Sequence, residues 1–367
     1  MGRLPSSRHP PFTRLRLGYA VLTPWPLRAE LRRRPWGGER LASRWSPDQV
    51  DAEPGDEPFG EAWLAGPSTR VSADASFADA AIVGRELASL AREYGVALLG
   101  TAPWARYGDR FPLLVKLLDA AQPLSLQVHP DDAYALRHES ASGHLGKTEA
   151  WWVLEARPGA TVWWGFSRPV ARAEVQRAGE SGDWAGLLRE LPVAGGDVVV
   201  NPAGTVHALG AELTVYEVQQ ASDLTYRLHD HGRVGADGRP RRLHLDQALA
   251  VARLAPGSAP APAPVARAAG RTELAKTHAF VLEAIDPRAP GIGSEGVGWD
   301  VGPGSFELLT NLAAPRVAGA TTLHWRDGAA ALAPGATWLL PAGLGPVRLT
   351  GTAGCARCWV PDADGLP

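Results

Sequence analysis

Short apolar runs separated by Gly and Pro turns recur along the chain, at 150–154, 161–164, 197–200, 213–218, 306–309, 337–340 and 347–349. Runs this short and this regularly punctuated predict β-strands that close a sandwich or barrel. Two stretches break the pattern. At 77–94 and 171–191 apolar residues return every three or four positions, which predicts helices. One phrase occurs twice: Gly196-Asp197 followed by Val-Val-Val-Asn-Pro-Ala-Gly, and Pro334-Gly335 followed by Ala-Thr-Trp-Leu-Leu-Pro-Ala-Gly. A tight turn, a short strand and a second turn, present in both halves, predict two related barrels. Only the first copy leads into a histidine, His207, so the first barrel is expected to carry the chemistry and the second to be structural.

Residues 1–15, rich in Arg, Pro and Ser, read as a loose leader. A first unit then spans 16–252 and holds nearly all the notable polar groups. An Ala/Pro-rich stretch at 253–271 reads as an extended linker, and 272–367 forms a second β unit.

Composition narrows the classes. The 367 residues suffice for two domains, and a formal net charge of −2 argues against nucleic-acid or anionic-membrane partners. No apolar stretch is long enough to span a bilayer, and 17–27 is broken by Pro24 and Pro26, so neither an anchor nor a signal peptide is expected. The two cysteines, Cys355 and Cys358, are too few for a disulfide framework, which points to a reducing cytoplasm. Their CxxC spacing lacks two further soft ligands or a strand-to-helix setting, so it is read as incidental. Among 37 basic residues only Lys116, Lys147 and Lys276 are lysines, which makes each of them informative.

Candidate chemistry gathers in three short segments. In 124–130 the side chains of Ser125, Gln127 and His129 share one face of an expected strand, with Leu124, Leu126 and Val128 on the other. Lys147 and Glu149 are likewise two apart, just before the strand at Trp151, and His207 follows the turn at 202–204. Polar groups inside apolar segments destabilise unless they find a partner. Two imidazoles, a carboxylate and an amide oxygen suit zinc or another borderline divalent ion. Lys116 lies within the apolar run 113–118, where a buried ammonium calls for an anion. No Gly-rich phosphate loop is present, so any phosphate must be held by side chains.

The strings PLLVKLLDAAQPLSLQVHPDD, GKTEAWW, GDVVVNPAGTVHALG and VQQASDLTYRLHDHGR, with RPWGGERL and GEAW upstream, resemble the short bacterial form of the type I mannose-6-phosphate isomerases. The resemblance covers roughly residues 36–250, with the motifs in order, and weakens beyond. It implies a mainly β fold: a cupin jelly-roll barrel with helical insertions that binds one Zn2+ per chain, followed by a smaller cupin-like β domain without metal. It places the zinc ligands on Gln127, His129, Glu149 and His207, and brings Lys116 and Ser125 near a sugar phosphate. Arg227 is expected to face the substrate and Glu217 to orient a ligand or hydroxyl, with Arg233 a weaker phosphate candidate. His229, His231 and His244 receive no role and are read as surface or loop residues. Trp151, Trp152, Trp163 and Trp164 are read as barrel core. The implied reaction interconverts D-mannose 6-phosphate and D-fructose 6-phosphate through an enediol. Its general base stays open between Lys147, a group near Arg227 and a metal-bound water. The expected partner is a small sugar phosphate, with the chain a monomer or weak homo-oligomer. A metal-cupin oxygenase and a non-catalytic sugar-phosphate-binding cupin are the alternatives. The first should show a compact His-x-His…Glu…His cluster, and the second a lost ligand or arginine.

Overall fold

The computed structural model describes residues 23–44, 50–73, 80–234, 238–258, 263–313 and 321–362. Each strand expected from the apolar runs is present, and among the described residues the molecule is built mainly from β-sheet. The expected leader lies outside the described residues.

One sheet runs through both halves. Its central order is Val198–Asn201, Glu149–Ala156, Leu213–Gln220, Leu113–Ala120, Phe59–Ala65, Trp25–Gly38, Thr337–Leu340, Glu307–Asn311, Cys355–Trp359, Val281–Ile285, Arg271–Lys276 and Val265–Ala268. The long strand Trp25–Gly38 makes the junction. Trp25–Leu27 pairs antiparallel with Thr337–Leu339, and from Glu30 onward the same strand pairs with Phe59–Ala65. Its first half alternates, with Leu27, Ala29 and Leu31 buried, as a strand with one covered face requires. Gly60 is fixed by close approach: a Cβ there would lie 2.6 Å from Arg34 Cβ and 2.8 Å from the Trp36 ring.

A second sheet faces the first half, in the order Tyr226–His229, Leu126–Val128, His207–Leu209, Thr161–Phe166, Leu188–Pro192. Between them lies an apolar core of Trp36, Leu118, Trp151, Val153, Val162, Trp164, Val199 and Val215, which makes the first jelly-roll barrel. A third sheet of Val297–Val301, Gly345–Thr350, Thr321–Trp325 and Gly328–Leu332 closes over the other half around Trp299, Leu309, Trp325 and Val347. The largest core joins the two halves from outside the barrels. It includes Leu64, Leu87, Leu90, Tyr216, Phe280, Phe306, Leu339 and Cys358.

Several expectations are corrected. The helix expected at 171–191 is Arg172–Ser181 only: Gly182 takes φ 78 and ends it, and Leu188–Pro192 is a strand. Of the helix expected at 77–94, Leu87–Tyr94 is helical, residues 80–84 form turns, and 77–79 lie outside the described residues. Short helices at Val96–Leu99, Thr101–Tyr107, Asp132–His138 and Leu245–Val251 carry too few turns to show a period. The stretch expected to be linker contains the strand Val265–Ala268 at the end of the large sheet. Cys355 and Cys358 lie on an extended strand and face opposite cores, which suits inert thiols. Burial raises both, Cys358 to about 12. No helix among the described residues is long and apolar enough to cross a membrane.

Candidate metal centre

Three strands and one strand end converge inside the first barrel. Gln127 lies directly opposite His207 on one side and Arg227 on the other. Glu149 opens its own strand, opposite Asn201 and Gln219. His129 follows the strand Leu126–Val128, whose apolar side chains Leu126 and Val128 anchor the opposite face, as the alternation predicts. The turn 202–204 delivers His207; Gly204 has φ +84, and its N–H donates to His129 O at 2.8 Å.

Glu149 stands between the two imidazoles, with Oε1 3.0 Å from His207 Nε2 and Oε2 3.4 Å from His129 Nε2. All three residues are buried, and their ligand atoms lie within 4.8 Å of one another. Both rings are turned the same way: His129 Nδ1 meets Leu224 O and His207 Nδ1 meets Thr205 O, each at 2.8 Å. A carbonyl accepts only, so Nδ1 carries the proton and Nε2 presents its lone pair to the centre. Gln127 brings its amide within 3.4 Å of His207 Nε2, and a half-turn of the amide presents Oε1 there instead.

The electrostatics agree with a cation site. Burial, together with the neighbouring Lys147 ammonium, pushes the His129 imidazolium down to about 3, leaving the neutral ring that coordinates metals. Burial alone would raise the Glu149 carboxyl, but the Lys147 ammonium beside it outweighs this and holds the carboxyl well below its usual range. Lys147 Nζ stands 2.9 Å from Glu149 Oε2. Even so, His129 Nε2 and Glu149 Oε2 are buried without a well-directed hydrogen bond. Buried acceptors left in this state destabilise a protein unless a further group satisfies them. A divalent cation fits both the inward-facing lone pairs and the N/O donor set.

Beside this centre a row of polar groups crosses the sheet. Lys116 Nζ lies 3.0 Å from Glu217 Oε2 and donates to Gln219 Oε1 at 3.0 Å. Trp151 Nε1 donates to Glu217 Oε1 at 2.9 Å, and its ring meets His207 edge-on at 5.4 Å. Trp151 is therefore a wall of the site as well as core; Trp164, buried, donates to Val200 O, while Trp152 and Trp163 are half-buried. Lys116, expected near a sugar phosphate, rests on Glu217 and Gln219. Across from it, Glu61 accepts from Arg34 at 2.7 Å and from Trp63 Nε1 at 2.8 Å. Sequence reasoning missed Glu61; its signal was GEAW, read only as resemblance. Ser125 is buried at the head of the Gln127 strand.

Arg227 leaves Nε buried without a partner, while Nη1 donates to Arg242 O at 3.1 Å. Arg233, the weaker phosphate candidate, is held by protein groups. It donates to Asp230 and to Pro123 O, and Arg241 shares the same carboxylate. His229 and His244 are half-buried rather than exposed. His229 lies on a strand, and His244 Nδ1 accepts from the Arg227 N–H at 3.2 Å. His231 is exposed, with Nε2 3.0 Å from Leu124 O.

Comparison with known proteins bears on the same segments. Residues 25–147 match the family model for the catalytic domain of type I phosphomannose isomerase. A mannose-6-phosphate isomerase of Streptococcus mutans is 37% identical over 225 residues, 61% of this chain and 66% of that protein. Mannose-6-phosphate isomerase ManA of Bacillus subtilis is 46% identical over 144 residues, 39% of this chain and 45% of its own length. The matched sequence thus spans just under two thirds of the first relative and less than half of the second. The crystal structure of the Bacillus subtilis mannose 6-phosphate isomerase aligns with 91% of this chain and 99% of that one, at a TM-score of 0.75 and 30% identity. With nearly the whole of that structure covered at this identity, the chain belongs to the type I phosphomannose isomerase family.

Proposed function

We propose that this chain is a zinc-dependent aldose–ketose isomerase that interconverts D-mannose 6-phosphate and D-fructose 6-phosphate. The observation that carries the reading is the buried pair of imidazole Nε2 atoms flanking Glu149, each ring oriented by an Nδ1 contact to a carbonyl. Family membership supplies the reaction class, and the names of the Streptococcus and Bacillus relatives supply the sugar. Zinc is assigned from the mixed donor set, with Gln127, His129, Glu149 and His207 as the residues that would hold it. The unit at 16–252 carries the reaction and 272–367 is structural, with 253–271 between them adding the strand Val265–Ala268 to the large sheet; the protein acts in the cytoplasm as a monomer or weak homo-oligomer.

The chemistry transfers a proton between adjacent carbons through an enediol. When bound, the divalent ion supplies positive charge that polarises the substrate oxygens at those carbons. The chain's own groups do the rest. Lys147, 2.9 Å from Glu149, is assigned to proton transfer at the reacting carbons. Arg227, opposite Gln127, stabilises the enediolate oxygen; Lys116 and Ser125 are assigned to the phosphate, with Arg233, held by Asp230, a weaker contact. Glu217, held by Trp151, orients a sugar hydroxyl, and the buried setting keeps water from the intermediate. The decisive experiment is a coupled assay of fructose 6-phosphate formed from mannose 6-phosphate, before and after chelation. Activity lost on chelation and restored by zinc is expected. Full turnover by metal-free protein would overturn the reading.

A further inference from the structure

The inner face of the large sheet carries charges of alternating sign in a line. Arg34 on the strand Trp25–Gly38 donates to Glu61 at 2.7 Å. Glu61 is two residues from Trp63 on the next strand, and Trp63 lies in register with Lys116. The Lys116 ammonium stands 5.3 Å from the Trp63 ring centroid, while the Arg32 guanidinium stacks on the same indole at 3.4 Å. Lys116 is in register with Glu217, and Glu217 with Trp151, the residue whose ring meets His207. The order across the sheet is therefore Arg34, Glu61, Lys116, Glu217, and it ends at the metal centre.

One carboxylate, Glu217, touches the buried Lys116 ammonium at 3.0 Å, and a second, Glu61, is held by the Trp63 indole that the same ammonium faces. A lone buried Lys–Glu pair sets a large desolvation cost against its attraction, and a second carboxylate shifts that balance toward the charged state. Trp63 limits where the second carboxylate sits, because its indole N–H holds Glu61 Oε2 at 2.8 Å. Gly60 limits it again, since the strand carrying Glu61 reaches Arg34 only where residue 60 has no side chain. We propose that Glu61 is a positioning residue for the centre: its carboxylate holds the Lys116 ammonium against Glu217, and through Glu217 and Trp151 it fixes the wall beside His207. For catalysis this rests on the isomerase reading above; for the position of Lys116 it does not.

The scarcity of lysine makes the test clean. Lysine labelled with 13C at Cε gives three signals, from Lys116, Lys147 and Lys276. Glu61→Gln keeps an oxygen acceptor for Trp63 and removes the negative charge, that of the Arg34 ion pair included. In the zinc-loaded protein it is expected to move the Lys116 signal while Lys147 and Lys276 stay in place. Turnover of mannose 6-phosphate should fall about tenfold to hundredfold, as expected when a group near the reaction is misplaced without being removed. KM should stay within about threefold and zinc content at one per chain. Glu61→Asp should move the signal part of the way and recover part of kcat, and it carries the test if Glu61→Gln does not fold. An unmoved Lys116 signal overturns the proposal, and so does a moved signal with wild-type kcat. Should wild-type protein fail to convert mannose 6-phosphate, the isomerase reading falls, and the lysine signals still decide whether Glu61 holds Lys116.

Discussion

His129 and His207 divide their ring nitrogens between two tasks, Nδ1 to a backbone carbonyl and Nε2 to the centre. An imidazole lost from such a site leaves three donors at best, so His129→Ala and His207→Ala are each expected to lower bound zinc from one per chain toward zero, measured by elemental analysis. Gln127→Glu tests charge rather than geometry. The new carboxylate should hold the ion as well as the amide does, while cancelling the net charge left by a single Glu149. Full zinc occupancy with turnover reduced at least about tenfold is expected, short of the roughly hundredfold that losing an electrostatic contact in the transition state costs, because Arg227 compensates in part. A fully loaded variant with wild-type turnover would refute the role of a neutral ligand. Gln127, His129 and Glu149 stand out in the sequence because strand alternation sets polar groups against apolar ones at two-residue spacing, and His207 because it follows a turn; the structure gathers His129, Glu149 and His207, with Gln127 beside them. The destination of a long cationic side chain was not legible. Lys116 meets Glu217 through pairing between strands about a hundred residues apart in sequence, which no local pattern encodes. Glu61 adds a pH test: burial would raise it, but Lys116 and Arg34 hold it at about 2 against an ordinary value of 4.5. A depressed carboxyl stabilises the fold above its unfolded value and loses that contribution as pH falls. The stability gap between wild type and Glu61→Gln should therefore be flat above about pH 4.5 and close toward pH 2, as followed by urea titration.

At the scale of elements, the strand Trp25–Gly38 does most to join the site to the rest of the molecule. Its outer half belongs to the second barrel's sheet and its inner half to the first, with register shifts near Arg33 where Pro35 and the Gly37-Gly38 pair follow. Pro26 and Pro35 hide it from a strand search, because proline within a run argues against a central strand. The helices were misjudged for a related reason. Apolar spacing at 171–191 continues past Ser181 into Trp184, Leu187, Leu188 and Leu191, but these pack from a turn and a strand, and periodicity cannot register the stop at Gly182. The contact between Trp25–Gly38 and Phe59–Ala65 gives an element-scale prediction. Gly60→Ala places a methyl 2.6 Å from Arg34 Cβ, so the strands must part. Overpacking of this kind costs about 1–3 kcal/mol, read as a lower urea midpoint. Because Glu61 is the next residue, turnover should fall with it, whereas an unchanged midpoint would show that the strands give way freely.

Across the whole molecule, the second barrel repeats the first without its chemistry. Where the first gathers His129, Glu149 and His207, the second buries Arg357 between Glu283 and Glu307; Trp299 Nε1 donates to Glu307 at 2.8 Å. Among the described residues the first barrel alone assembles a set of metal-ligating side chains. The repeated turn-strand-turn phrase was legible as two barrels; the continuous sheet between them was not, since it depends on Trp25–Gly38 reaching across to Thr337–Leu340. That continuity has a thermodynamic consequence. Leu64, Leu113 and Tyr216 of the first half share one core with Phe306, Leu339 and Cys358 of the second, and Tyr216 hydroxyl meets Thr310 Oγ1 at 3.2 Å. Neither half buries its outer sheet face alone, so the two should unfold together. Arg357→Met tests this from the far side. It leaves Glu307 buried without its cation, while Glu283 keeps Arg271 at 3.0 Å; breaking a buried ion pair from one side costs about 3–5 kcal/mol. None of these residues touches the metal centre. If the halves are coupled, the variant should show one calorimetric transition at a lower temperature, with zinc released in that same transition. It should keep one zinc per chain and near wild-type turnover below it. Zinc release at the wild-type temperature, after a separate earlier melting of the second barrel, would show that the shared sheet does not transmit stability to the site.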